Sequence, residues 1–233
     1  MPHPVIALVL SITSALGAAP SPEVSVRYEQ PSSNRAEQAE RLLKKSEALK
    51  TDIMPPREVK VVARDCDSPE ATWSSGERRI TICYSLVDKV HRTIKGISET
   101  EEADAKATGA RTDGALAMLF HRQLGHALTT LNGLPDSVGQ ADQFAALTLL
   151  ADDPEHVVAA AEARHLLAGH DGAEHLEGMK ESATFACLLY GSDPAKYAPI
   201  AKGGWVPPER APSCPAEYER VRSAIGGAVR TGP

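Results

Sequence analysis

AMLFHRQLGHAL, residues 117–128, sits inside a segment, residues 114–131, that is apolar on one face and runs into NGLP, a helix stop built from Asn, Gly and Pro. It reads as a buried helix. Successive residues on a helix turn by about 100°. Arg122 and His126, four apart, therefore share a face. His121 and His126, five apart, diverge by about 140° and converge only across a local π-bulge. His121, Arg122, Gln123 and His126 are the polar groups this helix offers for chemistry.

Outward from that helix the chain organises itself by punctuation and periodicity. Residues 20–34 are rich in Pro, Ser and charge and read as a linker or disordered start. Residues 35–49, RAEQAERLLKKSEAL, form a helix with a partial apolar stripe at Ala39, Leu42, Leu43 and Leu49, ended by MPP. Residues 58–63 (EVKVVA) and 79–84 (RITICY) read as strands, with SSGE as a turn between them, and pairing them brings Cys66 near Cys83. Residues 86–94, 99–108, 114–131, 141–151, 155–167 and 174–190 read as helices, with Gly169 and Gly191 as stops for the last two. A loop-rich stretch follows, in which Asp193-Pro194 turns the chain, and residues 217–225 make a final helix. The class is α+β, mostly helical, with a small antiparallel sheet or hairpin before the central helix.

Composition narrows the function classes. Of 233 residues, 42% are hydrophobic and 4% aromatic, so a core of helices packed through small side chains is expected. A net charge of -6 with no basic face argues against nucleic acid as a partner. Residues 5–16 (VIALVLSITSAL) have the length of a signal-peptide apolar region and are too short to span a bilayer. Cleavage after Ala18 or Ala19 makes the mature chain secreted or periplasmic, with no stable membrane insertion, although MPHP ahead of the run carries no Lys or Arg. An uncleaved anchor is the alternative. The division is then a signal peptide (1–19), an N-terminal linker and helix (20–51) and one main domain (52–233). Cys66, Cys83, Cys187 and Cys214 are even in number, which in an exported chain suggests disulfides. Three pairings exist. Cys66–Cys83 and Cys187–Cys214 join neighbours along the chain and are favoured over four buried thiols; no C-x-x-C spacing supports a zinc cluster.

The helix has a chemical precedent. In H-E-x-x-H two histidines four apart grip one zinc, and the Glu after the first serves as general base to the bound water. In this chain Arg122 stands four before His126, and Gln123 stands where the base belongs. Arg is a permanent cation with no lone pair to give, and Gln carries no charge to take a proton.

In sequence order, CDSPEATWSSGERRITICYSLVD, LFHRQLGHAL, LNGLP with ADQFAALTLL, EHLEGMKESATFACLLYGSDPAKY and RAPSCPAEYE resemble the putative-metallopeptidase domain family of exported bacterial proteins, across about residues 52–220. The resemblance implies a zincin-like fold and supports the two cysteine pairs. It puts the first metal histidine on Arg122, the catalytic glutamate on Gln123 and the second histidine on His126. The family's acidic run before its D-Q pair is shortened to DSVGQADQ, which leaves Asp142, with Asp136 nearby.

The resemblance implies a metallopeptidase-like protein that has lost catalysis and binds a peptide or protein in the former cleft, with no cofactor favoured. The alternative is an active zinc metallopeptidase with an altered ligand set, His121, His126 and Asp142. Simpler expectations stand beside both. His126 reads as a hydrogen-bonded core or cleft histidine, Arg122 and Asp142 as an ion pair where zinc would sit, and His121 as partly exposed. His156, His165, His170 and His175 lack zinc spacing and read mostly as solvated. Ser182 and Ser192 lack a G-x-S-x-G context.

Overall fold

A computed structural model describes residues 23–101, 103–168 and 175–231. The expected signal segment, Gly169 and His170 lie outside the described residues, as does the side chain of His175.

The sheet has four strands in the order β1-β2-β4-β3: β1 Val24–Tyr28, β2 Val59–Arg64, β3 Ala71–Ser74 and β4 Arg79–Cys83. β2 is central, and its Val59, Val61, Val62 and Ala63 are all buried. It runs parallel to β1 (Val24 opposite Val59) and parallel to β4 (Lys60 opposite Arg79). This corrects the antiparallel pairing expected for EVKVVA and RITICY. The SSGE turn instead joins β4 to β3, which lies on its far side and is the antiparallel partner (Ala71 opposite Ile82). Because β3 occupies the edge, β4 folds back into the slot beside β2 and runs in the same direction. The sheet is therefore mixed. The expected linker is corrected too: it contributes β1, and its parallel pairing requires the crossover that α1, Asn34–Ser46, supplies.

After the sheet come α2 (Tyr84–Thr100), α3 (Ala105–Leu131), α4 (Val138–Asp152), α5 (Val157–Ala168), α6 (His175–Ser192), the short α7 (Ala198–Lys202) and α8 (Cys214–Ile225). The single polar helix expected over 99–108 is instead a break between α2 and α3, made by Asp104, whose carboxylate accepts from Ala107 N at 2.7 Å. Ser137 caps α4 in the same way. Gly191 does not stop α6, which continues to Ser192. A Cβ there would lie 2.2 Å from Cys214 O, so this glycine lets α6 and α8 touch backbone to backbone. Cys187–Cys214 joins the same two helices, and Cys66–Cys83 ties the loop after β2 to the end of β4.

α3 is the axis of the molecule, packed on α4, α5, α2 and the sheet. One core cluster joins Val61, Ile80 and Ile82 of the sheet to Leu43 of α1, Phe120 and Leu124 of α3, Phe144 of α4 and Phe185 of α6. Among the described residues, no helix is long and apolar enough to cross a membrane.

Candidate functional site

The polar residues of α3 divide between two sides. His121 points inward. It is 1% exposed, against the expectation of a partly exposed ring, because α4 covers that side of α3. Thr148 of α4 spends its hydroxyl hydrogen on Ala145 O, so its oxygen accepts from His121 Nδ1–H at 3.0 Å. Burial lowers the His121 pKa to about 4; Asp153 acts to raise it and His156 to lower it.

Arg122 and His126 lie one turn apart on α3. Arg122 Nε lies 3.1 Å from Asp142 Oδ1 on α4, an ion-pair contact not aligned as a hydrogen bond. Asp142 is buried, and its second oxygen accepts from Arg164 Nη2 of α5 at 3.3 Å. Arg164 Nη2 also donates to Glu181 Oε2 of α6 at 2.9 Å. A chain of alternating charge thus threads four helices: Arg122, Asp142, Arg164, Glu181. The low dielectric around Asp142 strengthens each contact and makes an unpaired charge costly.

His126 Nδ1 lies 2.8 Å from Asp136 Oδ1, in the loop between α3 and α4. The carboxylate can only accept, so Nδ1 carries the hydrogen and Nε2 is left uncommitted. Gln123 is buried, and its side chain makes no hydrogen bond among the described residues. On the sheet side Trp73 Nε1, on edge strand β3, donates to Thr130 Oγ1 at 2.8 Å, one turn beyond His126. The free edge of β3 is thereby pinned beside this face of α3.

The structure joins Arg122 to Asp142 and His126 to Asp136. It does not bring His121, His126 and Asp142 together as one ligand set: the three address Thr148, Asp136 and two arginines. His156 is half-buried and bonded to Asp153, not solvated, and that bond raises its pKa. His165 is also half-buried, and burial lowers its pKa. The Ser182 hydroxyl is buried with no partner among the described residues, and Ser192 Oγ donates to Leu189 O. Sequence reasoning missed Arg164 and Glu181. The available signal was a pair of charges, Glu162 and Arg164, in the largely apolar VVAAAEARHLLA, where a buried charge needs a partner.

A model of the family DUF4344, described as "Putative metallopeptidase", matches residues 26–225, from within β1 to the end of α8. The chain belongs to this family. Comparison with curated proteins and with solved structures gives no match.

Membership in a metallopeptidase family implies a metal, and zinc in a catalytic site takes three protein ligands. Among the described residues no three His, Cys, Asp or Glu side chains stand close enough to share an ion. His126 Nε2 is a competent donor, oriented by Asp136 as metal-binding histidines are oriented by carboxylates. Asp142 is already held between two guanidinium groups, and Arg122 brings a positive charge to the same face. The described donor set does not fit a family metal site.

Proposed function

We propose that this member of the family is exported, does not hydrolyse peptides, and binds a peptide or protein segment on the face of α3 that carries Arg122 and His126. The observation that carries the reading is the ion pair of Arg122 with Asp142. By the family resemblance Arg122 stands at a metal-ligand position, and a guanidinium held by a buried carboxylate stands in for the cation's charge without its Lewis acidity. Gln123, at the position of the general base, cannot take a proton from water, and that assistance is typically worth about 10²–10⁴ in rate. Binding is supported by the free edge of β3, pinned beside the helix by Trp73 and Thr130, since an exposed edge offers backbone groups to an extended peptide. Export is supported by the two disulfides and by the apolar run at residues 5–16.

The second reading keeps catalysis, with zinc on His126 and an altered partner set that includes His121 and Asp142. The His126–Asp136 bond is the observation in its favour. It requires His121 to leave Thr148 and Asp142 to leave both arginines.

Elemental analysis of the purified protein, with a broad peptide-cleavage assay, separates the two. The expected result is well under one zinc per chain and no cleavage. The double substitution Arg122→His and Gln123→Glu is expected to raise zinc affinity. Stoichiometric zinc in the unmodified protein, with hydrolysis abolished by a chelator, overturns the binding reading in favour of the enzyme.

A further inference from the structure

We infer that Arg122 is a carboxylate anchor: its two Nη groups take a carboxylate of the bound peptide, and His126 Nε2, one turn along α3, accepts a peptide N–H. The carboxylate is the peptide's C-terminus or an Asp or Glu side chain. The inference rests on the peptide-binding reading and specifies what such a peptide must present.

Three observations carry it. First, the guanidinium is fixed at one end and open at the other. Nε is sealed from solvent against Asp142, whereas the Nη atoms make no hydrogen bond among the described residues and are not among the sealed atoms. The side chain as a whole is 25% exposed. An arginine held at Nε presents its Nη pair as the flat fork that matches a carboxylate with two parallel bonds.

Second, the charge chain is polar. Asp142 divides its charge between Arg122 and Arg164, and Glu181 balances the chain only at its far end, beyond Arg164. Arg122 is the positive terminus, on a side chain that remains partly exposed. One guanidinium suits a singly charged carboxylate better than a dianion, which calls for more than one cation.

Third, His126 is preset. Asp136 holds its Nδ1, and Nε2 has no partner among the described residues. Four residues of helix separate the two groups by about 6 Å along the axis. Two residues of extended peptide span a similar distance at about 3.4 Å each.

The test uses the purified full chain, immobilised at pH 7.5, and two pools of randomised N-acetylated hexapeptides, one with free C-terminal carboxylates and one amidated. Retained peptides are identified by mass spectrometry. We expect at least tenfold greater retention of the free-acid pool if the C-terminus is the ligand. If a side chain is the ligand, retained amidated peptides are enriched at least tenfold in Asp or Glu at one position. Arg122→Gln should remove either preference. Arg122→Lys, which keeps the charge but not the fork, should retain part of it. Circular dichroism reports whether Arg122→Gln is folded; if it is not, Arg122→Lys decides, a preference reduced at least threefold supporting the anchor and an unchanged one overturning it. Equal retention of both pools without Asp or Glu enrichment, or an undiminished preference in folded Arg122→Gln, overturns the anchor and leaves peptide binding standing. No retention of either pool by folded protein overturns the peptide-binding reading and the anchor with it.

Discussion

His121 and His126 show how five residues of helix separate two similar side chains. The helical turn puts about 140° between them. His126 stays at the surface with Asp136, and His121 enters the space between α3 and α4. The buried ring resists protonation, since a charge there loses its hydration with no carboxylate in direct contact among the described residues. Its folded pKa of about 4 lies below the ordinary 6.5, so between those values the unfolded chain takes up a proton that the folded chain refuses. Stability from this group is complete above pH 6.5 and is lost as pH falls toward 4. The loss between pH 7.5 and pH 5 is about 2 kcal/mol. His156 works in the opposite sense: its raised pKa favours the folded state below the ordinary histidine range, an advantage lost as pH rises through its folded value. His121→Asn keeps an amide donor for Thr148 and cannot titrate. Urea denaturation at the two pH values should show the unmodified chain losing about 2 kcal/mol more than the variant. Identical losses would mean that His121 is not the group responsible.

At the scale of elements, α3 is held by close backbone approaches that its apolar pattern does not reveal. A Cβ on Gly125 would lie 2.2 Å from Ala141 O of α4, and one on Gly114 would lie 2.4 Å from Ala159 C of α5. In both cases the obstacle is backbone, which cannot swing aside as a side chain can. Gly125→Ala should therefore push α4 away from α3, at a cost of about 3 kcal/mol or more. The displacement would also strain the contact of Asp142, one residue from Ala141, with Arg122. Gly139→Ala is the control: nothing lies within 4 Å of a Cβ there. Thermal melts of both variants check this, and equal melting temperatures would remove the close approach as an explanation. The glycine of RQLGH was visible in the sequence, but its reason was not, because Ala141 becomes its neighbour only when α4 docks. The same limit governs the rest. The helices were legible from periodicity, since their bonds are local. β1 was hidden by flanking Pro and Ser and by a parallel partner more than thirty residues away, Val24 against Val59. Arg122 and Asp142 were legible as a pair because adjoining helices carry them, whereas Arg164 and Glu181 join from α5 and α6.

Across the whole molecule, one disulfide fastens the sheet and the other the C-terminal helices. Cys66–Cys83 closes a span of 17 residues around β3, the strand beside the candidate binding face. Cys187–Cys214 closes a span of 27 and locks α8 onto α6, where Gly191 already brings the two backbones together. Chain-entropy arithmetic assigns each about 3 kcal/mol, slightly more to the longer loop. Their consequences for binding should differ. Replacing Cys187 and Cys214 by Ala removes a clamp between α6 and α8; Glu181 of the charge chain lies on α6, nearly two turns before the bond. Replacing Cys66 and Cys83 loosens the loop that leads into β3, whose free edge is the proposed peptide partner and whose Trp73 donates a side-chain hydrogen bond to Thr130 of α3. Each double variant should lose about 3 kcal/mol in urea denaturation under oxidising conditions. At temperatures where both remain folded, the Cys66/Cys83 variant should bind peptide at least severalfold more weakly than the Cys187/Cys214 variant. Equal weakening in both would assign the effect to general destabilisation and separate β3 from the binding face.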